Sequence, residues 1–215
     1  SDADIRDSQI LISEDFSGVF PPEGWYREGV NDGENWGVTD YDDFGSESSP
    51  VLHFYWDPIY VGTQRMICGP VSTQYIDDLN LSFRHEIEPY NDNFDLYVET
   101  SSDGDNWQIA KSYSDEYLAP VNESIEISNS DVGSETFYFA FTFSGDSDNI
   151  DDWYIDDVVL RPAGEVLSLS ASGTNISMEF DGLIGSFSNT VNWNGNEVIE
   201  FTVTDTADTE DSDNM

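Results

Sequence analysis

The stretch ETFYFAFTF, residues 135–143, sets Phe137, Phe139, Phe141 and Phe143 at alternate positions, with Tyr138, Ala140 and Thr142 between them. Successive side chains of a β-strand point to opposite faces, so a period of two sends all four phenylalanines to one side, whereas a helix would scatter them around its axis. The segment therefore reads as a strand with one wholly apolar face, and such a face needs a second apolar layer to cover it. That layer is available elsewhere. LNLSFRHEI puts Leu79, Leu81, Phe83, His85 and Ile87 on one face, and FDLYVET groups Phe94, Leu96 and Val98. The turn clusters PYNDN, SSDGDN and SGDSDN separate these strands at short intervals, and no stretch shows the 3.6-residue period of an amphipathic helix. Together they predict an all-β fold, an antiparallel jelly-roll β-sandwich, over residues 9–160.

Pro162 and Gly164 in RPAGE interrupt pairing and mark a break. Beyond it EVLSLSA, NISMEF and NEVIEFTVTD predict a short β-rich C-terminal extension, residues 165–215, with a tight turn at NWNGN. About fifty residues make too small a core for an independent sandwich without metals or disulfides. The extension is thus expected to pack on the first domain, to pair with a neighbouring chain, or to open a second domain. The closing run TDTADTEDSDNM is expected to trail into solvent or linker.

The charge narrows the partners. Against 45 acidic residues stand 6 basic ones, for a net charge of −39, yet 14% of residues are aromatic and 38% hydrophobic. That apolar content is too high for a disordered acidic chain. The surface repels phosphate backbones and anionic lipid, which argues against nucleic-acid and membrane-surface binding, and it attracts cations. Such a lysine-poor surface also suits a saline or halophilic setting, where salt screens self-repulsion. A single cysteine, Cys68, excludes an internal disulfide and reads as a small buried hydrophobe. No run approaches the ~18 apolar residues needed to span a bilayer. Asn80, Asn122 and Asn175 sit in N-glycosylation acceptor triplets, compatible with a secreted or cell-surface glycoprotein.

Carboxylates inside apolar strands are the clearest chemical signal. In ILISEDF, Glu14 shares a face with Ile10, Ile12 and Phe16; in DDWYIDDVVL, residues 151–160, both faces are mainly apolar, so Asp156 or Asp157 is expected to point into covered structure. First and last strands of a jelly roll commonly lie close together, which would bring Glu14 to this pair. Buried carboxylates must be neutralised. A Ca²⁺ ion does so with oxygen ligands; Arg161 as a partner, or a β-bulge turning both aspartates to solvent, are the alternatives. The turns GVNDGENW, with Asn31, Asp32, Glu34 and Asn35, and GDSDNIDD, with Asp146 and Asp148, are further oxygen-rich stretches. Neither has EF-hand spacing, and each is equally readable as a polar turn.

Three pieces in order, ISEDFSGVFPPEGWYREGVNDGENW, FDLYVETSSDGDNWQIA and FYFAFTFSGDSDNIDDWYIDDVVL, resemble the cleaved-adhesin and choice-of-anchor J group, relatives of the MAM domains, across about residues 9–160. The resemblance implies a jelly-roll sandwich from a secreted or cell-surface protein, with calcium that is chiefly structural. It maps calcium ligands onto Glu14, Asp32, Asn35, Asp156 and Asp157. The paired cysteines of the MAM domains are missing, a departure that argues against receptor-type adhesion.

Enzymatic signatures are sparse. His53 in VLHFYW and His85 in FRHEI lie within apolar strands and read as structural, HEIEP has Pro89 where a second zinc-binding histidine would stand, and no nucleophile elbow or phosphate loop is present. TSSDGDNW reads as an Asp-Gly hairpin turn with Trp107 packed beneath it. Tyr26, Tyr41, Tyr55, Trp56 and Tyr60 could stack on sugar rings, or Phe54 and Trp56 could be core with tyrosines at the sheet edge. The expectation is a non-catalytic, calcium-stabilised module for adhesion or cell-surface assembly, partnered by a surface or matrix protein, a glycan or copies of itself. The alternatives are a filament or surface-layer subunit whose C-terminal strands complete a neighbour's sheet, and a carbohydrate-binding module of a secreted hydrolase.

Overall fold

The computed structural model describes residues 10–40, 49–113 and 115–163, and the backbone of strands 168–172, 176–181, 184–189, 200–204 and 210–214. The chain divides after Arg161 into two compact units. The first contains β1 (Ile12–Glu14), β2 (Trp25–Gly29), β3 (Trp36–Thr39), β4 (Val51–Tyr55), β5 (Val61–Val71), β6 (Leu79–Pro89), β7 (Phe94–Ser101), β8 (Gln108–Tyr113), β9 (Leu118–Ile127), β10 (Phe137–Asp146) and β11 (Ile150–Pro162). One sheet has the order β3-β4-β11-β6-β9, with β1 also pairing β11; the other has the order β2-β5-β10-β7-β8. Consecutive strands β10 and β11 lie in different sheets, so the fold is the expected antiparallel sandwich.

The core follows the alternation read from the sequence. Phe137, Phe139, Phe141 and Phe143 of β10 are all buried, and they meet Trp153 and Ile155 of β11 and Leu81 and Phe83 of β6 across the sandwich. The rings pack edge to face or offset: Phe141 stands 5.8 Å from Trp153 and 5.0 Å from Phe83, and Phe143 stacks 4.5 Å from Phe54. Each such ring contributes roughly 1.5–3 kcal/mol by leaving water.

His85 takes one of these core positions and is fully buried. Its Nδ1 accepts from Trp153 Nε1 at 3.3 Å, and its ring lies edge-on to Phe83 and Tyr113. Burial, with a smaller effect from Lys111, pushes its pKa down to about 4, so the imidazole is neutral at pH 7.

From Pro162 onward the second unit holds β12 (Ser168–Ser172), β15 (Glu200–Thr204) and β16 (Glu210–Asn214) in one sheet of that order, and β13 (Ile176–Asp181) paired with β14 (Ile184–Asn189). The acidic end does not simply trail off, because β16 pairs along β15 from Glu200–Asn214 to Thr204–Glu210. Asn175, Tyr41 and the NWNGN turn fall outside the described residues.

Candidate functional site

The aspartates of DDWYIDDVVL are divided by a break in alternation. Trp153 and Ile155 face the core, and so do Val158 and Leu160, three residues on rather than two. Asp157 absorbs the extra residue at φ 52 and is exposed, while Asp156 is completely buried on the side shared with Tyr154. This is a β-bulge placed where β11 changes partners: Asp152 to Ile155 pair with β4, and Val158 to Leu160 pair with β1. Only one aspartate is turned outward, rather than both.

Glu14 sits opposite Val158, one residue from Asp157. Its Oε1 accepts the backbone N–H of Phe16 at 2.7 Å, and Phe16 is itself at φ 53. Desolvation raises the Glu14 pKa, and that bond only partly offsets it. The register thus sets Glu14 one position from Asp157 along the ladder, while Val158, opposite Glu14, is buried and Asp157 is exposed.

It does not bring them to Asp32 and Asn35. Asn35 lies level with Tyr55, which pairs with Asp152, six residues along β11 from Val158 and so on the order of 20 Å away. Its amide is already committed: Nδ2 donates to the carbonyls of Tyr55 at 2.8 Å and Pro58 at 3.0 Å, and Oδ1 accepts from Gln64 at 2.8 Å. Asp32 is exposed at φ 55 in the tight turn before it. The turn requires Gly33, at φ 70, because a Cβ there would stand 2.8 Å from Cβ of Arg27. Among the described residues no three His, Cys, Asp or Glu side chains gather as a metal-binding group.

What Asn35 does instead is hold the β4–β5 loop. Buried Ser147, in the short turn between β10 and β11, holds the same loop from the other side: Oγ donates to Trp56 O at 2.8 Å and accepts from Tyr60 N at 3.0 Å. The next turn is tied in as well, since Tyr90 and Asn91 N–H groups both donate to Asn149 O, at 3.0 and 2.8 Å. Three loops at one end of the sandwich are thereby fixed to one another. Between them lies a groove of about 320 Å³ lined by Trp56, Tyr90, Asp148 and Asp151. Trp56 is 40% exposed and Tyr90 65% exposed.

Of the aromatic residues read as possible sugar contacts, Trp56 lines this groove and Tyr55 lies exposed beside it, its ring 6.3 Å from Trp56. Tyr60 does not: alternation turns it inward, where it packs on Phe143 at 6.0 Å and burial raises its pKa strongly. Tyr90 and Asp148 come from turns that the strand pattern treats as punctuation, and Asp151 from the start of β11. For Tyr90 the only signal in the sequence is a polar turn containing one tyrosine, whereas Asp148 stands in the oxygen-rich stretch GDSDNIDD.

A second aromatic surface covers the outer face of the five-stranded sheet. Tyr26, Tyr97 and Tyr138 alternate with core residues there, and the β7–β8 turn sets Trp107 over Arg65, whose guanidinium carbon is 5.1 Å from the ring centroid. Arg65 Nε donates to Glu99 Oε2 at 2.8 Å, and Thr142 donates to the same oxygen at 2.7 Å. The contact shown for Trp107 is thus with Arg65 of a charged pair.

His53 is sandwiched between Tyr55 and Tyr154 at 5.4 and 4.9 Å, with Nε2 against Asp152. Asn80 donates through Nδ2 to Ser124 at 2.8 Å, so its amide nitrogen is engaged, whereas Asn122 is exposed on β9.

These features define a jelly-roll sandwich with exposed aromatic side chains at its end loops and on one sheet face. No protein-family model and no curated protein sequence matches the chain. Among solved structures, the K1 cleaved adhesin domain of Lys-gingipain from Porphyromonas gingivalis is similar at a TM-score of 0.56 and 13% identity, covering 71% of this chain and 98% of that one. The K3 domain of the same protein gives 0.54 and 17%, covering 71% and 99%. The CBM22-1 xylan-binding domain of Paenibacillus barcinonensis Xyn10C gives 0.50 and 14%, covering 73% and 96%. The chain therefore has the cleaved-adhesin fold that its motifs resemble. No helix among the described residues is long and apolar enough to cross a membrane.

Proposed function

We propose that this protein is a non-catalytic, glycan-binding adhesion module of a secreted or cell-surface protein, and that the groove at Trp56 is its contact surface. The observation that carries the reading is the pinning of an exposed Trp56 by buried Ser147 and Asn35 beside Tyr90, Asp148 and Asp151. A sugar ring offers an apolar C–H face to an indole and hydroxyls to carboxylates, and a loop already fixed by hydrogen bonds loses little entropy on binding. The fold shared with cleaved adhesin and xylan-binding domains is consistent with this. The test is a glycan array followed by calorimetry on the full chain. Trp56→Ala is expected to weaken binding at least about thirtyfold, as truncation of a central aromatic contact costs ≥ ~2 kcal/mol. Unchanged affinity in a normally folded Trp56→Ala variant refutes the assignment.

The outer sheet face supports a second reading, with the ligand across Tyr26, Tyr97, Tyr138 and Trp107. Loss of binding in Trp107→Ala and not in Trp56→Ala selects it.

We also propose a structural calcium ion at the junction of β1 and β11. Support comes from the register that sets Glu14 opposite Val158, one position from Asp157, with positive φ at both Phe16 and Asp157, in a chain of net charge −39. Two carboxylates with backbone oxygens and water are a donor set suited to a hard cation, whereas Asp32 and Asn35 do not belong to it. The ion would supply charge neutralisation and join the first strand to the last.

A further inference from the structure

We infer that the Trp56 groove selects a cationic saccharide, one carrying free ammonium groups as in a glucosamine oligomer, over neutral and acidic glycans. This deepens the glycan-binding reading and rests on it.

Among the described residues the groove is lined by two aromatic rings and two carboxylates, and by no basic side chain. Asp148 and Asp151 are both exposed, and Asp57 adds a third carboxylate on the adjoining loop, where it accepts from Tyr55 Oη at 3.5 Å. Of the described basic side chains, Arg27 is engaged on Trp36 O, Arg65 on Glu99, Arg84 on Asn122 and Lys111 near Glu123, and Arg161 is exposed at the far end of β11 from Asp151. A uronate or sulfated sugar would enter against this field uncompensated. A neutral sugar could bond to the carboxylates, yet it would desolvate both without supplying opposite charge. An ammonium group meets both needs, because it pairs with a carboxylate and is attracted by the faces of tryptophan and tyrosine. The preference is fixed in space, since the chain segments bearing Trp56, Tyr90 and Asp148 are tied together through Ser147 and Asn149.

The experiment is calorimetric titration of the full chain, at physiological ionic strength, with four oligosaccharides of equal length: glucosamine, N-acetylglucosamine, glucose and galacturonate. The glucosamine oligomer is expected to bind at least tenfold tighter than its N-acetylated or glucose counterparts, with galacturonate silent. Trp56→Ala should abolish binding and Asp151→Asn should weaken it at least tenfold. Asp77→Asn removes one charge beyond the opposite end of β6, far from Tyr90, and should leave affinity unchanged. If neutral oligomers bind equally well and depend on Trp56, the ammonium selectivity is wrong and the glycan reading stands. If Asp77→Asn weakens glucosamine binding as much as Asp151→Asn, the attraction is to the bulk charge of the chain and the inference falls. Binding of none of the four, with a glycan array also blank, refutes both.

Discussion

His85 gives the fold a measurable acid sensitivity. In the unfolded chain a histidine titrates near 6.5; in the fold, burial between Phe83, Tyr113 and Trp153 lowers it to about 4. Between those two values the unfolded chain holds a proton that the native state refuses, so stability falls on acidification from 6.5 and levels off below about 4. The gap of about 2.5 units corresponds to roughly 3 kcal/mol at 1.36 kcal/mol per unit. Around His85 stand Glu123, with Oε2 4.0 Å from Nε2, and Lys111, 3.8 Å from the same carboxylate oxygen. Glu14, whose pKa is raised, works in the opposite direction, because the native state then binds its proton more readily than the unfolded chain. Relief of repulsion among 45 acidic groups also favours the folded state at low pH. The assay is therefore a difference. Wild type and His85→Gln, which keeps an acceptor for Trp153, are unfolded in urea across this pH range at fixed ionic strength. The wild-type chain should lose roughly 3 kcal/mol more than the variant between neutral pH and pH 4. Parallel pH profiles would show that His85 charges without penalty, and the burial argument would fail.

Other perturbations follow from the same contacts. Asn35→Ala strips donors from the carbonyls of Tyr55 and Pro58 and should cost about 2–4 kcal/mol by urea unfolding, with groove binding weakened as the β4–β5 loop loosens. Phe143→Ala opens a cavity among Phe54, Tyr60 and Phe94 and should cost about 3–5 kcal/mol, with a cooperative transition retained. Chelation at fixed ionic strength should lower the melting temperature. Asp157→Gly then separates two effects: relief of positive φ alone stabilises slightly, whereas loss of a calcium ligand destabilises and removes the response to chelator. Added monovalent salt should raise the melting temperature, because −39 charges repel one another; a flat profile would show that counter-ions already neutralise the surface.

Strand identity and core membership were legible in the sequence because period-two patterning is local. Phe137 to Phe143 and Leu79 to Ile87 declare their buried face without reference to a partner, and paired layers are the only way to cover such faces. The carboxylates of the first and last strands were legible as a problem, but its division was not. Asp156 and Asp157 differ in fate because a bulge interrupts the alternation where β11 passes from β4 to β1, and that handover exists only once three strands have paired. Asn35 looked like a ligand because an amide oxygen can bind either a cation or an N–H; the choice was made by Gln64, Tyr55 and Pro58, which are remote in sequence and adjacent in space. The groove was hidden for the same reason. Trp56, Tyr90 and Asp148 lie on three turns and Asp151 at the start of β11; their convergence depends on sheet order, and turn residues carry no periodicity. The sequence alone determined an acidic jelly-roll sandwich with a phenylalanine core, because burial follows from side-chain chemistry repeated every second residue. Tertiary structure alone decided which polar groups meet, because hydrogen bonds and binding surfaces join residues that the chain brings together only by folding.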